Sequence, residues 1–350
     1  MKLPFDLGVK LLLRLVIPGF LITLGLLPAA QTLLERQGWH VTTEYTLVIS
    51  VMLMGWIVLA LDIPIYMLFE GRRGWPSFLR SIFVGREQKR LQEIINDQAK
   101  YQTRDRPKYL EASFEKRKFP ISEQGDYFAK YPTRLGNCIA AYESYPSLRY
   151  GMDSVFYWYR IWISLDKDLK EDIDNRSALA DSAVYSSFAL FFSSTCWFIY
   201  AIVSWYKPAA LNHLPSSQTS WGIVALSLGA AYAIYHLSVH IHFRFGEIFK
   251  SVFDKFGKNV DISDVIAEIV NITNDQSLTT LGRREQLQIA WRYLNYYRIK
   301  CPTCGESVMV TAFKKHHAEA HSKTTTVPAV PAAQDSAPQH AVQPPNVPSE

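Results

Sequence analysis

Cysteine is scarce in this chain, four among 350 residues. Two of the four sit three positions apart ahead of a histidine cluster, a pattern that excludes a secreted disulfide framework and fits a reducing compartment with one metal site. Charge of one sign is also lacking: 37 Lys and Arg against 32 Asp and Glu leave +5, too small an excess to define a nucleic-acid surface by itself. There is no phosphate-gripping glycine loop, no nucleophile-and-base pair at a known spacing and no paired-acid motif. Cys138 has no neighbouring His or Cys to activate it. What the chain does have is long apolar runs set in a polar, basic remainder, so its 48% hydrophobic content conceals two different solvents.

The apolar runs cover residues 11–34, 46–69, 183–205 and 221–243. Each is long enough, at 1.5 Å per residue, to cross a hydrocarbon core of about 30 Å, and backbone groups in lipid are satisfied only by a helix. Trp205, Tyr206 and Trp221 lie at run ends, where amphipathic rings suit the headgroup layer. The stretch from Lys2 to Ala30 also fits a signal peptide, but Arg14 and the continued apolar run to Leu34 favour a retained helix. Between the second and third runs, residues 71–180 carry 20 Lys and Arg against 15 Asp and Glu, beginning with Arg72, Arg73 and Arg80. The short connections elsewhere hold only Arg36 and Lys207. The positive-inside bias therefore places the long insert and both termini in the cytoplasm, with two hairpins turning outside.

Polar groups inside the runs are functional candidates. Asp62, in Leu61-Asp62-Ile63-Pro64, is expected to pair with Arg14 and lock the first hairpin, or to serve a proton or cation relay. His236, His240 and His242 fall near the inner end of the fourth run, where interfacial hydrogen bonding is the simpler reading than a metal.

In the insert, residues 86–100 read as a polar helix with a stripe of Leu91, Ile94 and Ile95. Further on come Thr133-Arg134-Leu135-Gly136-Asn137, then Glu143-Ser144-Tyr145, then Arg149-Tyr150-Gly151-Met152-Asp153. Asp153 is placed to cap a helix with Val155, Phe156, Trp158, Tyr159 and Trp162 on its packing face. Arg134, Glu143, Arg149 and Asp153 are expected to form a charge network that supports the fold rather than a catalytic set. Over residues 120–165 the chain resembles a group of uncharacterised bacterial integral membrane proteins with similar Thr-Arg-Leu-Gly-Asn and Arg-Tyr-Gly-x-Asp elements between membrane hairpins. That resemblance implies a bacterial inner-membrane location and brings no activity with it.

After the fourth run, Phe245, Ile248, Phe249, Val252, Phe253 and Phe256 recur at three and four residues, so the helix should continue as an amphipathic one. Two shorter helices follow, one starting near Ser263 and one over residues 282–298. Cys301-Pro302-Thr303-Cys304, twelve residues, His317, three residues and His321 then match the spacing of a Cys2His2 zinc finger. Its inner apolar position is awkward: Lys314 stands three before His317, whereas Phe313 stands three before His316, so His316 is the alternative first imidazole. Val310, Phe313 and His316, at the positions that would face bases, supply no bidentate contact, so no sequence-specific DNA binding is expected. Residues 323–350 are rich in Pro, Ala, Gln and Ser and should be disordered.

Together these features predict an all-α membrane protein: a first hairpin (1–70), a helical cytosolic insert (71–182), a second hairpin (183–243), amphipathic helices (244–300), a small ββα-like Zn2+ module (301–322) and a tail. The function expected is that of a non-enzymatic scaffold, sensor or partner-binding protein of the inner membrane. The alternative is an oligomeric ion channel or membrane-perturbing effector with a polar path near Asp62. Expected partners are the bilayer, a cytosolic or membrane protein and, for a channel, further copies of the chain.

Overall fold

A computed structural model of the chain describes residues 5–38, 42–206, 216–301 and 303–321, which are helical almost throughout. The predicted disordered tail lies outside the described residues. Helix α1 (Phe5–Leu11) passes through one π-helical turn, Leu12–Val16, into α2 (Ile17–Arg36). Pro18 has no N–H to offer the carbonyl of Arg14, and the backbone widens where that bond is missing. Helices α3 (Thr43–Ala60) and α4 (Asp62–Glu70) together cover the second apolar run and meet at a bend of 63°. The cause is Pro64, whose ring excludes the carbonyl four residues before it, and α3 ends at that residue, Ala60.

Helices α9 (Lys167–Tyr206) and α10 (Ser217–Phe256) are each 40 residues long, about 60 Å at the helical rise. Each is therefore about twice as long as a bilayer core is thick, and its apolar and polar parts form one rod. The boundaries drawn at 182/183 and 243/244 fall inside these rods, while the expected continuation of the fourth segment is present. Among the described residues, three helices are by length and composition able to cross a membrane, and the bent pair makes a fourth if it counts as one span. α9 packs along α10, and α2 lies against both α3 and α9. The α2–α3 contact depends on glycine: a Cβ on Gly19 would meet the Val51 carbonyl, and one on Gly55 the Leu15 carbonyl. Small residues at a crossing let two backbones approach where no hydrophobic force favours association.

The insert begins with a hairpin of α5 (Ser77–Tyr101) and α6 (Arg106–Lys116), closed over Leu91, Phe119 and Ala129. Helix α7 (Arg134–Tyr150) packs on α10. Helix α8 (Ser154–Ser164) starts where predicted: Asp153 Oδ1 accepts from the Phe156 N–H at 2.8 Å. Its inward face is Tyr157 and Ile161, however, and Val155 and Tyr159, expected inside, point outward. The Tyr157 hydroxyl donates to the Leu287 carbonyl at 2.7 Å, tying α8 to α12 (Arg283–Tyr296). Helix α11 (Ser263–Thr273) starts at the predicted Ser263, with Ile262 at its cap position. The chain then forms an antiparallel hairpin, β1 (Arg298–Lys300) with β2 (Ser307–Met309), in register Ile299 to Val308, followed by α13 (Phe313–His321). One hydrophobic core is continuous from Ile22 and Val58 through Leu135, Tyr157 and Phe253 to Ile299 and Phe313.

Candidate functional site

The Thr-Arg-Leu-Gly-Asn element is a joint between the membrane-type helices and the insert. Thr133 caps α7, its Oγ1 accepting from the Gly136 N–H at 3.0 Å. Leu135 is fully buried, and Gly136 approaches α4 so closely that a Cβ would meet the Glu70 carbonyl. Asn137, 1% exposed, accepts from the N–H groups of Lys130 and Tyr131, both at 2.9 Å, and donates to the carbonyls of Tyr131 and Thr133 at 2.9 and 3.0 Å. All four bonds of its amide are made, so it fixes the whole entry loop. Asn137→Ala removes the side-chain partner of the Lys130 and Tyr131 N–H groups and of the Tyr131 carbonyl, while the Thr133 carbonyl keeps the residue-137 N–H, and should cost about 2 kcal/mol, read as a lowered unfolding midpoint in detergent.

The expected charge network of Arg134, Glu143, Arg149 and Asp153 is not assembled. Glu143 binds Arg72, which also holds Glu70; Arg134 lies 3.9 Å from Glu87; Asp153 is occupied as a cap; Arg149 is exposed beside Tyr150. Arg134, Glu143 and Arg149 sit on different turns of α7 and Asp153 caps α8, each facing different neighbours, so their closeness in sequence does not become closeness in space. Cys138 lies on the buried side of α7, where burial pushes its thiol up to about 12, the opposite of activation.

The Arg14–Asp62 pair is likewise replaced. Arg14 forms an ion pair with Asp181 and donates to Ser177 Oγ at 3.1 Å, while Lys10 pairs with Asp174 one turn below, at 3.2 Å. Asp62 instead accepts from the Tyr185 hydroxyl at 2.5 Å. The bend at Leu61 and the early start of α9 at Lys167 account for the exchange, since α9 presents Asp174, Ser177 and Asp181 to the first helix before the apolar run begins. Asp181 opens a polar line across three helices. Tyr66 has one hydroxyl proton and two acceptors, Asp181 Oδ1 at 2.5 Å and His242 Nε2 at 3.3 Å. His242 Nδ1 is 2.8 Å from the Ser238 carbonyl, which only accepts, so Nδ1 carries the proton and Nε2 is free to receive one. With Asp181 ionised, Tyr66 donates to it; with Asp181 protonated, the acid donates to Tyr66 and Tyr66 turns its proton to His242. These groups line a cavity of about 240 Å³ that also touches Glu70 and Glu143.

At the other end of the molecule, Cys301, Cys304 and His316 come together, their ligand atoms all within 4.8 Å of one another. The residues fit a metal ion. Burial opposes ionisation of Cys301, yet the backbone N–H groups of Cys304 and Thr303, with help from His316, bring its thiol down to about 6. His316 Nε2 faces the knuckle, 3.3 Å from Cys304 Sγ, and its Nδ1 faces the exposed Glu306 carboxylate at 3.9 Å, beyond hydrogen-bond reach. The geometry takes the alternative histidine. Phe313, 3% exposed, fills the core position, which turns His316 toward the thiols and lays His317 against the Phe313 ring at 6.0 Å. The side chain of His321 lies outside the described residues.

Comparison with protein-family models, curated proteins and solved structures finds no match for this chain.

Proposed function

We propose that the chain is a multi-pass protein of a bacterial inner membrane, crossing it four times with the insert and both termini in the cytoplasm, and that it acts as a non-enzymatic partner-binding scaffold. The observation that carries this reading is the outer face of α8: Val155, Tyr159 and Ile163, one turn apart, are 67%, 68% and 78% exposed. A row of large apolar side chains left uncovered on a helix whose other face is fully packed is a surface for another molecule. The basic content of the insert supports its orientation, and the resemblance of residues 120–165 supports the location. In this reading the C-terminal module is a staple: Zn2+ on Cys301, Cys304 and His316, with His321 as the fourth ligand, holds the hairpin against α13 and, through Ile299 and Phe313, against the common core. Tyr159→Asp with Ile163→Asp should abolish partner capture from detergent extracts without moving the unfolding midpoint. Capture that survives both substitutions would refute the role given to α8. Reporter fusions after Lys118 and Lys323 should be active on the cytoplasmic side only.

A second reading rests on the polar line. Two proton arrangements through Asp181, Tyr66 and His242, with Asp62 and Tyr185 beside them, are what a proton path through an oligomer would use. Proton flux in liposomes that disappears in Asp181→Asn or Asp62→Asn would favour this reading, and a purified oligomer that never conducts would end it.

A further inference from the structure

A second cavity, of about 450 Å³, opens where the insert meets the apolar helices. Its wall is aromatic, with Phe69, Trp75, Phe83, Phe188 and Phe191 from four different segments. Its other end is polar and formed by Arg86, Glu87, Arg134 and His236 beside the N-terminus of α7. The cavity is not a closed core void. Phe191 and Tyr232, on the lipid-type faces of α9 and α10, stand 57% and 67% exposed along its flank. The start of α5 adds Phe78 and Ile82, also exposed, next to Arg80. Aromatic rings, exposed apolar side chains and guanidiniums at one level mark the edge of a bilayer.

Glu87 gives the site its character. It is 8% exposed, yet its Oε2 has no hydrogen-bond partner. Arg90 Nη1 stays 3.6 Å from that oxygen, and Arg134 Nε stays 3.9 Å from the other. Both separations are too long for a hydrogen bond. A buried acceptor left open in a lined cavity asks for a donor from outside the chain. The charged lining is two guanidiniums and one carboxylate, net +1 with a neutral His236, which one negative charge would balance.

We infer that this cavity holds the headgroup of an anionic glycerophospholipid with a polyol head, of the phosphatidylglycerol type: its phosphodiester sits between Arg134 and Arg86, a head hydroxyl donates to Glu87, and its acyl chains leave along Phe191 and Tyr232. A choline head offers no donor. An ethanolamine head offers one but leaves the lining one charge in excess. Basic pockets at the inner edge of membrane helices recognise anionic lipid in this way. The site rests on the membrane reading above, and is otherwise independent of what α8 binds.

The test uses the full chain in nanodiscs of phosphatidylcholine containing equal minor fractions of phosphatidylglycerol and phosphatidylethanolamine, released into detergent and weighed by native mass spectrometry. One retained phosphatidylglycerol per chain is expected. Retention should fall about fivefold in Arg134→Gln and again in the exposed Arg86→Gln, which serves if the first variant folds poorly. Glu87→Gln should lose the preference for phosphatidylglycerol, Lys89→Gln on the outer side of α5 should change nothing, and added inorganic phosphate should not displace the lipid. Equal retention of the three lipids, displacement by phosphate, or variants indistinguishable from the parent chain would each overturn the assignment. A chain that inserts into nanodiscs but shows no preference refutes the lipid site alone, and a chain that never inserts refutes the membrane reading with it.

Discussion

His316→Ala is expected to strip the metal from the C-terminal module, whereas His317→Ala should leave one ion per chain, measured by elemental analysis of the purified protein. The sequence spacing favours His317, so the two variants separate the geometry from the motif. In space the choice is decided by Phe313. Its ring fills the small core under the hairpin, and on a helix the neighbouring side chains at 316 and 317 diverge by about 100°. Only one of them can face the pair of thiols. Removing a direct ligand should cost more affinity than the roughly 10–100-fold typical of losing a hydrogen-bonded outer partner. The structural consequence is large because the module has little else to hold it. The hairpin has three residues in each strand, and α13 has nine. If the ion is the Zn2+ proposed above, its binding, worth about 10 kcal/mol or more, would be most of the module's folding free energy. Chelation or Cys301→Ser should remove hydrogen-exchange protection from residues 298–321 while that of α9 and α10 persists. Protection unchanged by chelation would show that Ile299 and Phe313 suffice.

Much of this architecture is legible in sequence because it is written in strong periodicities and spacings. The long apolar runs, the continuation of the fourth through Phe249 and Phe253, the Asp153 cap and the thiol knuckle all follow from local rules. The misreadings share a cause. Charged residues before Ala183 end the third apolar run there, but a helix does not stop where its solvent changes, and α9 begins sixteen residues earlier. Asp181 therefore lies before the apolar run although it belongs to the same helix. A usable signal is present: Asp174, Ser177 and Asp181 lie on one helical face, as do Lys10 and Arg14, and the acids of one set are spaced to meet the bases of the other. Long-range placement decides the rest. Nothing local tells Arg134 to approach Glu87 across the fold, or Glu143 to bind an arginine more than seventy positions back, because these contacts follow from how α7 docks on α4 and α10. The Glu87 cavity was invisible for the same reason, its lining coming from elements far apart in the chain.

Asp181→Leu should destabilise the protein in detergent by about 3–5 kcal/mol, while Asp62→Asn should change it by less than about 1 kcal/mol, both followed by thermal unfolding. The asymmetry comes from what each carboxylate holds. Asp181 neutralises Arg14 and accepts from Tyr66, so its loss strands a guanidinium among apolar helices and leaves a hydroxyl with one distant acceptor. Asp62 accepts one bond, from Tyr185, and asparagine keeps an oxygen in that place. The lower end of the range is expected, because the Arg14 side chain is one-third exposed and its long stem can carry the charge toward the headgroups. The double variant Arg14→Met with Asp181→Leu should recover most of the loss, since replacing both partners of a buried pair by apolar groups removes the desolvation cost along with the attraction. If the double variant is as unstable as the single one, the ion pair is not the source of the effect, and the weight passes to the Tyr66–His242 bond. Tyr66→Phe should then reproduce the deficit, which it should not do if the pair with Arg14 is what holds the first helix against α9.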